Sequence, residues 1–252
     1  MITLSKIILE SKVLVPRRSQ KERQRNHLVA IQKQIQKYID SGSKGDLDLE
    51  NTPITSLPKG LQVGEGLYLK NTHVTSLPDG LQVGGSLDLR NTPITSLPDG
   101  LEVRGDLDLT GTPITSLPDG LEVGGYLLLS GTPITSLPRN LKVGSLYLID
   151  TPITSLPDGL EVRRSLYLRD TPITSLPDGL QVGGYLNLKN IPITSLPQNL
   201  KVGRDLDLRG TPITSLPRNL KVGGTLDLRG TPIAETYPNW EKPKGVKGTV
   251  YI

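Results

Sequence analysis

The sequence predicts a mostly β protein, a parallel β solenoid closed at its N-terminal end by one amphipathic helix. Three observations carry the prediction. A block of the form T-P-I-T-S-L-P returns ten times, opening at Thr52, Thr72, Thr92, Thr112, Thr132, Thr151, Thr171, Ile191, Thr211 and Thr231, so the period is 20 residues with one interval of 19. Within each period, apolar and polar residues alternate over two short stretches, as in Leu81-Gln82-Val83 and Leu87-Asp88-Leu89. The 27 Gly and 21 Pro recur at fixed places in the repeat, which makes them turn punctuation and not a sign of disorder. A 20-residue unit is too short to bury its own apolar face, and stacking copies is how such a unit acquires a core.

Taken from the N-terminus, the first element is a basic leader. Residues 1–44 hold ten Lys or Arg against Glu10, Glu22 and Asp40, and since the whole chain carries +4 the remainder is net −3. Ile7-Ile8-Leu9 and Val13-Leu14-Val15 are short apolar runs that fit strands or an extended arm. Ser19-Gln20-Lys21-Glu22 has the form of a capping box, and Leu28, Ile31, Ile35, Tyr38 and Ile39 follow at spacings of three and four. A helix is therefore expected from about 20 to 41, with Gly42 as its stop and its apolar stripe over the open end of the first coil.

The repeats come next, at residues 45–233. In the unit from Leu81 to Gly100, apolar positions fall at 81, 83, 87, 89, 94 and 97. Period-2 alternation at 81/83 and 87/89 gives two short strands, and no 3.6-residue pattern fits between the Pro and Gly positions, so helix is excluded inside the array. Leu87 and Leu89 then point inward and residues 86, 88 and 90 outward. Gly100 marks a left-handed turn, and Asn replaces Gly at 140, 199 and 219, the other residue type that tolerates that conformation. The 19-residue interval lacks one residue at the glycine corner, Val143-Gly144-Ser145 against Val123-Gly124-Gly125-Tyr126. The strand pattern therefore resumes in phase, and a loop is expected to absorb the loss. After Ile233 the pattern breaks, and residues 234–252, with Tyr237, Trp240 and a strand-like Gly248-Thr249-Val250-Tyr251-Ile252, are expected to form a C-terminal cap.

The pattern L-x-L-x-x-T-x-I-x-x-L-P resembles the leucine-rich repeat, over about three quarters of the chain, and its length and Leu-Pro pair are similar to the short repeats of bacterial type III effectors. The layout also resembles small phage or bacterial leucine-rich proteins with a basic helical leader. Two departures stand out: Thr replaces the family's Asn, so its hydroxyl or a neighbouring turn must meet the backbone groups there, and the V-G-G insert lies outside the effector pattern.

Function is then read from what the stack displays. Tyr126, Leu128, Tyr147, Ile149, Tyr167 and Tyr185 are expected to meet on neighbouring strands as an exposed patch rimmed by Asp and Arg, Arg169 among them. Aromatic centres with polar rims are the usual anatomy of protein interfaces. The plainer alternative is that these residues only stabilise the sheet through cross-strand pairs. The Asp and Arg columns are expected to neutralise one another. Arg17, Arg18, Lys21, Arg23 and Arg25 are candidates for sequence-independent phosphate contacts, weighed against a solvated helix face, and nucleic acid is not the expected partner.

No catalytic role is expected, since His27 and His73 pair with no nucleophile or carboxylate and no phosphate loop occurs. The chain has no Cys, so neither disulfides nor thiolate metal sites are available, and no cofactor or metal is expected. With no signal-like start and no run of ~20 apolar residues, the expectation is a cytoplasmic protein without a membrane partner, or a virion-associated one if phage-encoded. Self-assembly, as in a structural component of a phage particle, is the alternative to recognition.

Overall fold

The computed structural model describes residues 19–236 and 242–252, with helix α1 at Gln20–Asp40 followed by a stack of parallel coils. Tyr237 and Trp240, expected to help close the C-terminal end, lie outside the described residues.

The helix begins where its cap chemistry dictates. Ser19 N–H donates to Glu22 Oε2 at 2.8 Å and Glu22 N–H donates to Ser19 Oγ at 3.2 Å, the reciprocal capping box. It ends in a left-handed Gly42 (φ 86°), with Gly42 N–H donating to Ile39 C=O and Ser43 N–H to Tyr38 C=O. Ile31 and Ile35 are buried and Tyr38 and Ile39 pack against the core, so the stripe covers the first coil. Leu28 departs from the expectation. It is exposed, since the helix contacts the stack only from about Ile31 onward. The Tyr38 hydroxyl fixes the seam, donating to Ser43 C=O and accepting from Gly64 N–H, and Gln34 Nε2 donates to Asp48 C=O on the first strand.

Each coil carries the two short strands that the alternation implies. The first ladder runs from Leu47–Asp48 coil by coil to Leu226–Asp227 and ends on Val250–Tyr251, parallel and in register throughout. The second runs from Gln62–Val63 to Lys221–Val222, with Val246 bridged to Val222 as a last step. Leu87, Leu107 and Leu166 are fully buried, as are Ile94, Ile114 and their equivalents. No helix interrupts the repeats among the described residues. A short α2 (Pro232–Thr236), not anticipated from the sequence, forms where T-S-L-P gives way to Ala234-Glu235. Pro232 opens it and Thr231 Oγ1 accepts from Ala234 N–H.

The short interval behaves differently from the loop expected. Its missing residue is at the glycine corner, but no loop forms. The corner straightens instead, and the two strands fuse into Glu122–Leu128 and Lys142–Tyr147, joining both ladders into one sheet with an irregularity between Val123 and Tyr126. In phase with its neighbours, Leu127 still pairs with Leu146.

The coils turn through two left-handed corners, of which the sequence reading identifies one. The Gly100 corner is found with positive φ at Gly60, Gly80, Gly100, Gly120, Asn140, Gly159, Gly179 and Asn199. Asn219, expected to turn the same way, does not have positive φ; its side chain instead bonds the coil below, Oδ1 accepting from Asn199 N–H and Nδ2 donating to Asn199 Oδ1. The second corner precedes the Thr, or Ile191, that opens each repeat block and is occupied by Asn51, Asn71, Asn91, Gly111, Gly131, Asp150, Asp170, Asn190, Gly210 and Gly230, all with φ between 55° and 73°. Only Asn, Asp and Gly occur there, the residues for which that region costs least. Inside it, the Thr hydroxyl meets the backbone of its own coil: Thr72, Thr92, Thr112, Thr132 and the rest donate to the Leu carbonyl three residues back, at 2.5–2.7 Å. Ile191 keeps the burial and gives up that donor.

The V-G-G corner is set by contact between backbones. A Cβ on Gly203 would come within 2.0 Å of Gly183 O, and one on Gly223 within 2.1 Å of Gly203 O. The ladder bond from this position is 2.8 Å at Gly84, Gly203 and Gly223, 3.2 and 3.1 Å at Arg104 and Arg163, and 3.3 Å at Gly183, so a side chain alone does not set its length. Gly203→Ala is expected to destabilise by about 1–2 kcal/mol because its Cβ would force Gly183 O away from the short bond found there, read as a lower urea midpoint, whereas Thr95→Ala on the exposed coil surface should leave the midpoint in place.

Candidate functional site

Four tyrosines form one unbroken aromatic chain across the strand face. Tyr126 meets Tyr147 edge to face (5.9 Å between centroids, 70°), Tyr147 stacks on Tyr167 (4.3 Å, 14°), and Tyr167 meets Tyr185 edge to face (5.5 Å, 66°). Tyr147 and Tyr167 are register partners on adjacent strands, while Tyr126 and Tyr185 come from the column one residue earlier, so the chain bends at both ends. Pairs of this geometry contribute ~0.5–1.5 kcal/mol each beyond the area they bury.

The earlier column explains why those two positions are special. At six other positions it holds Asp or Ser, whose side chain accepts the backbone N–H of the next coil: Asp46 from Gly66, Ser86 from Asp106, Asp106 from Tyr126, Ser145 from Ser165, Ser165 from Tyr185 and Asp205 from Thr225, while Gly66 and Thr225 themselves pass no such bond on. Tyr126 and Tyr185 receive this support and do not pass it on, trading a polar rung for a ring. Asp, Ser and Tyr alternating at a fixed offset was the available signal for this second polar ladder, and the reading of the columns as charge and aromatic patterns passed over it.

The patch is less exposed than the sequence implies. Tyr126 is 39 % exposed, and Leu128, Tyr147, Ile149, Tyr167, Arg169 and Tyr185 are each half-buried. Neighbouring side chains on a closely spaced parallel ladder cover one another. The flanking Asp column sinks further, with Asp88 and Asp207 buried. Their charges are met as expected: Arg90 clamps Asp88 and reaches Asp108 Oδ2 at 3.3 Å, while Arg209 binds Asp207 at 2.6 Å and reaches Asp227 at 3.4 Å. Arg229 binds Asp227 at 2.6 Å and lies over the Tyr251 ring. Arg169 instead pairs with Asp170 beside it on the corner. On the second ladder Lys142 Nζ donates to Glu122 Oε1 at 2.8 Å.

Tyr185 ties the aromatic chain to this network, its hydroxyl donating to Asp207 Oδ2 at 3.0 Å. Burial and the Asp207 charge push the Tyr185 hydroxyl well above its ordinary value. For Tyr147, burial first and the Tyr167 hydroxyl second push it from 10.0 to about 12. Burial opposes the charge on Asp207, but the Arg209 guanidinium and backbone N–H, with the Tyr185 hydroxyl, hold its carboxyl below the usual range.

Of the leader cations, Arg17 and Arg18 lie outside the described residues, as do the side chains of Lys21 and Arg23; Arg25 is exposed on α1. Among the described residues no group of three or more His, Asp or Glu is placed to hold a metal ion, and no helix is long and apolar enough to cross a membrane.

Stacked coils of about 20 residues, parallel ladders and buried Leu columns define a leucine-rich-repeat solenoid. The solved structures it is similar to include YopM, a leucine-rich effector protein from Yersinia pestis, at 17% identity and a TM-score of 0.56, covering 92% of this chain and 76% of that one. YopM from Yersinia enterocolitica is likewise similar, at 17% identity and a TM-score of 0.51. There the match covers 87% of this chain and spans 58% of the other, less than two thirds of its length. No protein-family model and no curated protein matches the sequence.

The hydroxyl and carboxyl shifts fix the pH window. Tyr147 and Tyr185 are raised in the folded state, so their stabilisation is complete below pH ~10 and is lost as pH rises through the folded values. Asp207 is lowered, so its contribution is present above pH ~4 and is lost as pH falls through its folded value. Thermal unfolding is expected to show Tyr147→Phe flattening the alkaline fall while leaving the acid limb as in wild type.

Proposed function

We propose that this chain is a non-enzymatic recognition scaffold that binds another protein through its strand face, centred on Tyr126, Leu128, Tyr147, Ile149, Tyr167, Arg169 and Tyr185. The observation that carries the reading is the continuous four-ring chain, which places half-exposed aromatic area in the middle coils. The neighbouring charges are paired among themselves, which leaves the rings as the anchor.

Three physical points support it. Aromatic side chains supply most of the energy at protein interfaces when they are preorganised and ringed by polar groups. The rings here are held by one another and by Asp207, so little side-chain freedom remains to be lost on binding. Leucine-rich-repeat folds are typically interaction scaffolds, and the two fold neighbours are leucine-rich proteins, one of them described as an effector.

The test is affinity for a partner identified by capture and then purified. Tyr147→Ala with Tyr167→Ala is expected to weaken binding at least tenfold, since central aromatic anchors each contribute about 2 kcal/mol or more. Tyr68→Ala, outside the aromatic chain, should change it by less than about threefold. Unchanged affinity in the double variant, with circular dichroism showing an intact solenoid, would remove the aromatic chain from recognition. Light scattering separates the self-assembly reading, because recognition of a foreign partner predicts a monomer and a structural role predicts a defined oligomer or polymer.

A further inference from the structure

The fold gathers a cationic surface at the far end of the second ladder that the sequence disperses over nearly 50 positions. Lys201 and Lys221 are register partners on adjacent strands. The next rung is the segment after Lys242: Val222 N–H donates to Gly245 C=O and Lys247 N–H donates to Val222 C=O, both at 2.9 Å, which seats Lys244 and Lys247 beside Lys221. Arg204 stands at the adjoining corner, its carbonyl accepting from Gly224 N–H. All five side chains are exposed.

Among the described residues, none of these five cations has a carboxylate within ion-pair distance. The carboxylate nearest in sequence, Asp205, accepts the Thr225 N–H at 2.6 Å. Like charges on adjacent rungs oppose folding, and the rest of the column avoids or relieves them. Gln62 and Gln82 are neutral, Gln181 separates Glu161 from Lys201, and in the like pair Glu102/Glu122 the second member is bound by Lys142. The Lys201/Lys221 pair has no such relief among the described residues.

We propose that this surface, Lys201, Arg204, Lys221, Lys244 and Lys247, binds the phosphodiester backbone of nucleic acid without reading its sequence. Charge complementarity selects a polyanion. The chemistry of the surface selects this one over an acidic protein: between the cations lie glycines 203, 223, 224, 245 and 248 and buried valines, with no exposed apolar or aromatic anchor among the described residues of the patch. Protein interfaces depend on such anchors, whereas phosphate contacts need only mobile cations and close backbone approach. The site is independent of the aromatic chain, which sits on the other ladder.

The test is fluorescence anisotropy of a labelled B-DNA duplex with the full chain, titrated over a salt series. Affinity is expected to fall steeply with salt, at ~0.9 log units per log unit of salt for each phosphate neutralised. Lys201→Gln/Lys221→Gln/Lys247→Gln is expected to reduce that slope by about three and to weaken low-salt binding at least tenfold. Its thermal midpoint should equal or exceed wild type, because the like-charge contact is relieved. Since the leader is also basic, Arg17→Gln/Arg18→Gln/Arg25→Gln is measured in parallel and should leave the slope largely in place. A slope unaltered in the first variant, or lost only in the second, overturns the proposal. So does binding of a poly-glutamate peptide or phosphatidylserine vesicles through the same lysines in the absence of duplex binding.

Discussion

The constraint on which the rest depends is that every coil must present its backbone to the next in the same register. The N–H groups of one first-ladder strand donate to the carbonyls of the strand above, as Leu47 does to Gly66, Leu67 to Ser86 and Leu87 to Asp106. A shift of one residue would turn each Leu column outward. Coil length is therefore held wherever a strand lies and is free to vary only at a corner. The one 19-residue coil obeys this, losing its residue between the two strands and keeping Leu146 opposite Leu127 and Leu166.

The same constraint determines what was legible in the amino-acid order. Strand positions, the buried Leu and Ile columns and the capped helix follow from period 2, period 20 and a capping box, each a local pattern with one physical reading. The Asn/Asp/Gly corner before each Thr was equally written in the residues, but Asn91 beside Thr92 reads as part of a strand end until the backbone shows a φ of 55°. Burial of Asp88 and Asp207 was not legible, because alternation assigns a face and says nothing of how far a bulky neighbour on the adjacent rung covers it. Clustering of the candidate tyrosines did follow from the column arithmetic; their stacking angles depend on tertiary packing.

The aromatic chain and the irregular coil coincide. Tyr126 and Tyr147 lie on the two strands that fuse when the glycine corner straightens, Glu122–Leu128 and Lys142–Tyr147. Fusion is not what admits a ring in place of the polar rung: Ser145 on the second fused strand still accepts the Ser165 N–H, and Tyr185 follows a bent corner between Gln181–Val182 and Leu186–Asn187. What the fused pair supplies is continuity, with Tyr126 set opposite Ser145 one residue before the Leu127/Leu146 rung. A local break in an otherwise uniform repeat is where a sequence departs from the requirements of folding alone.

Seen this way, the two ladders treat charge in opposite manners. On the first, Arg90, Arg169, Arg209 and Arg229 each close on an Asp of their own coil and Arg90 and Arg209 reach the next coil as well, so the face is electrostatically quiet and its distinctive chemistry is aromatic. On the second, Gly follows two positions on in most coils where the first ladder has Arg, and where Arg104 and Arg163 follow Glu102 and Glu161 no ion pair forms between them. Charges there are balanced only when the coil above happens to carry the opposite sign, as Lys142 does for Glu122. Lys201 and Lys221 break that alternation, and the lysine-rich closing segment extends the break. A repeat that satisfies its backbone identically in each coil thus leaves its side-chain surface to be differentiated coil by coil, and the two places where the pattern changes are the two surfaces that carry unspent chemistry.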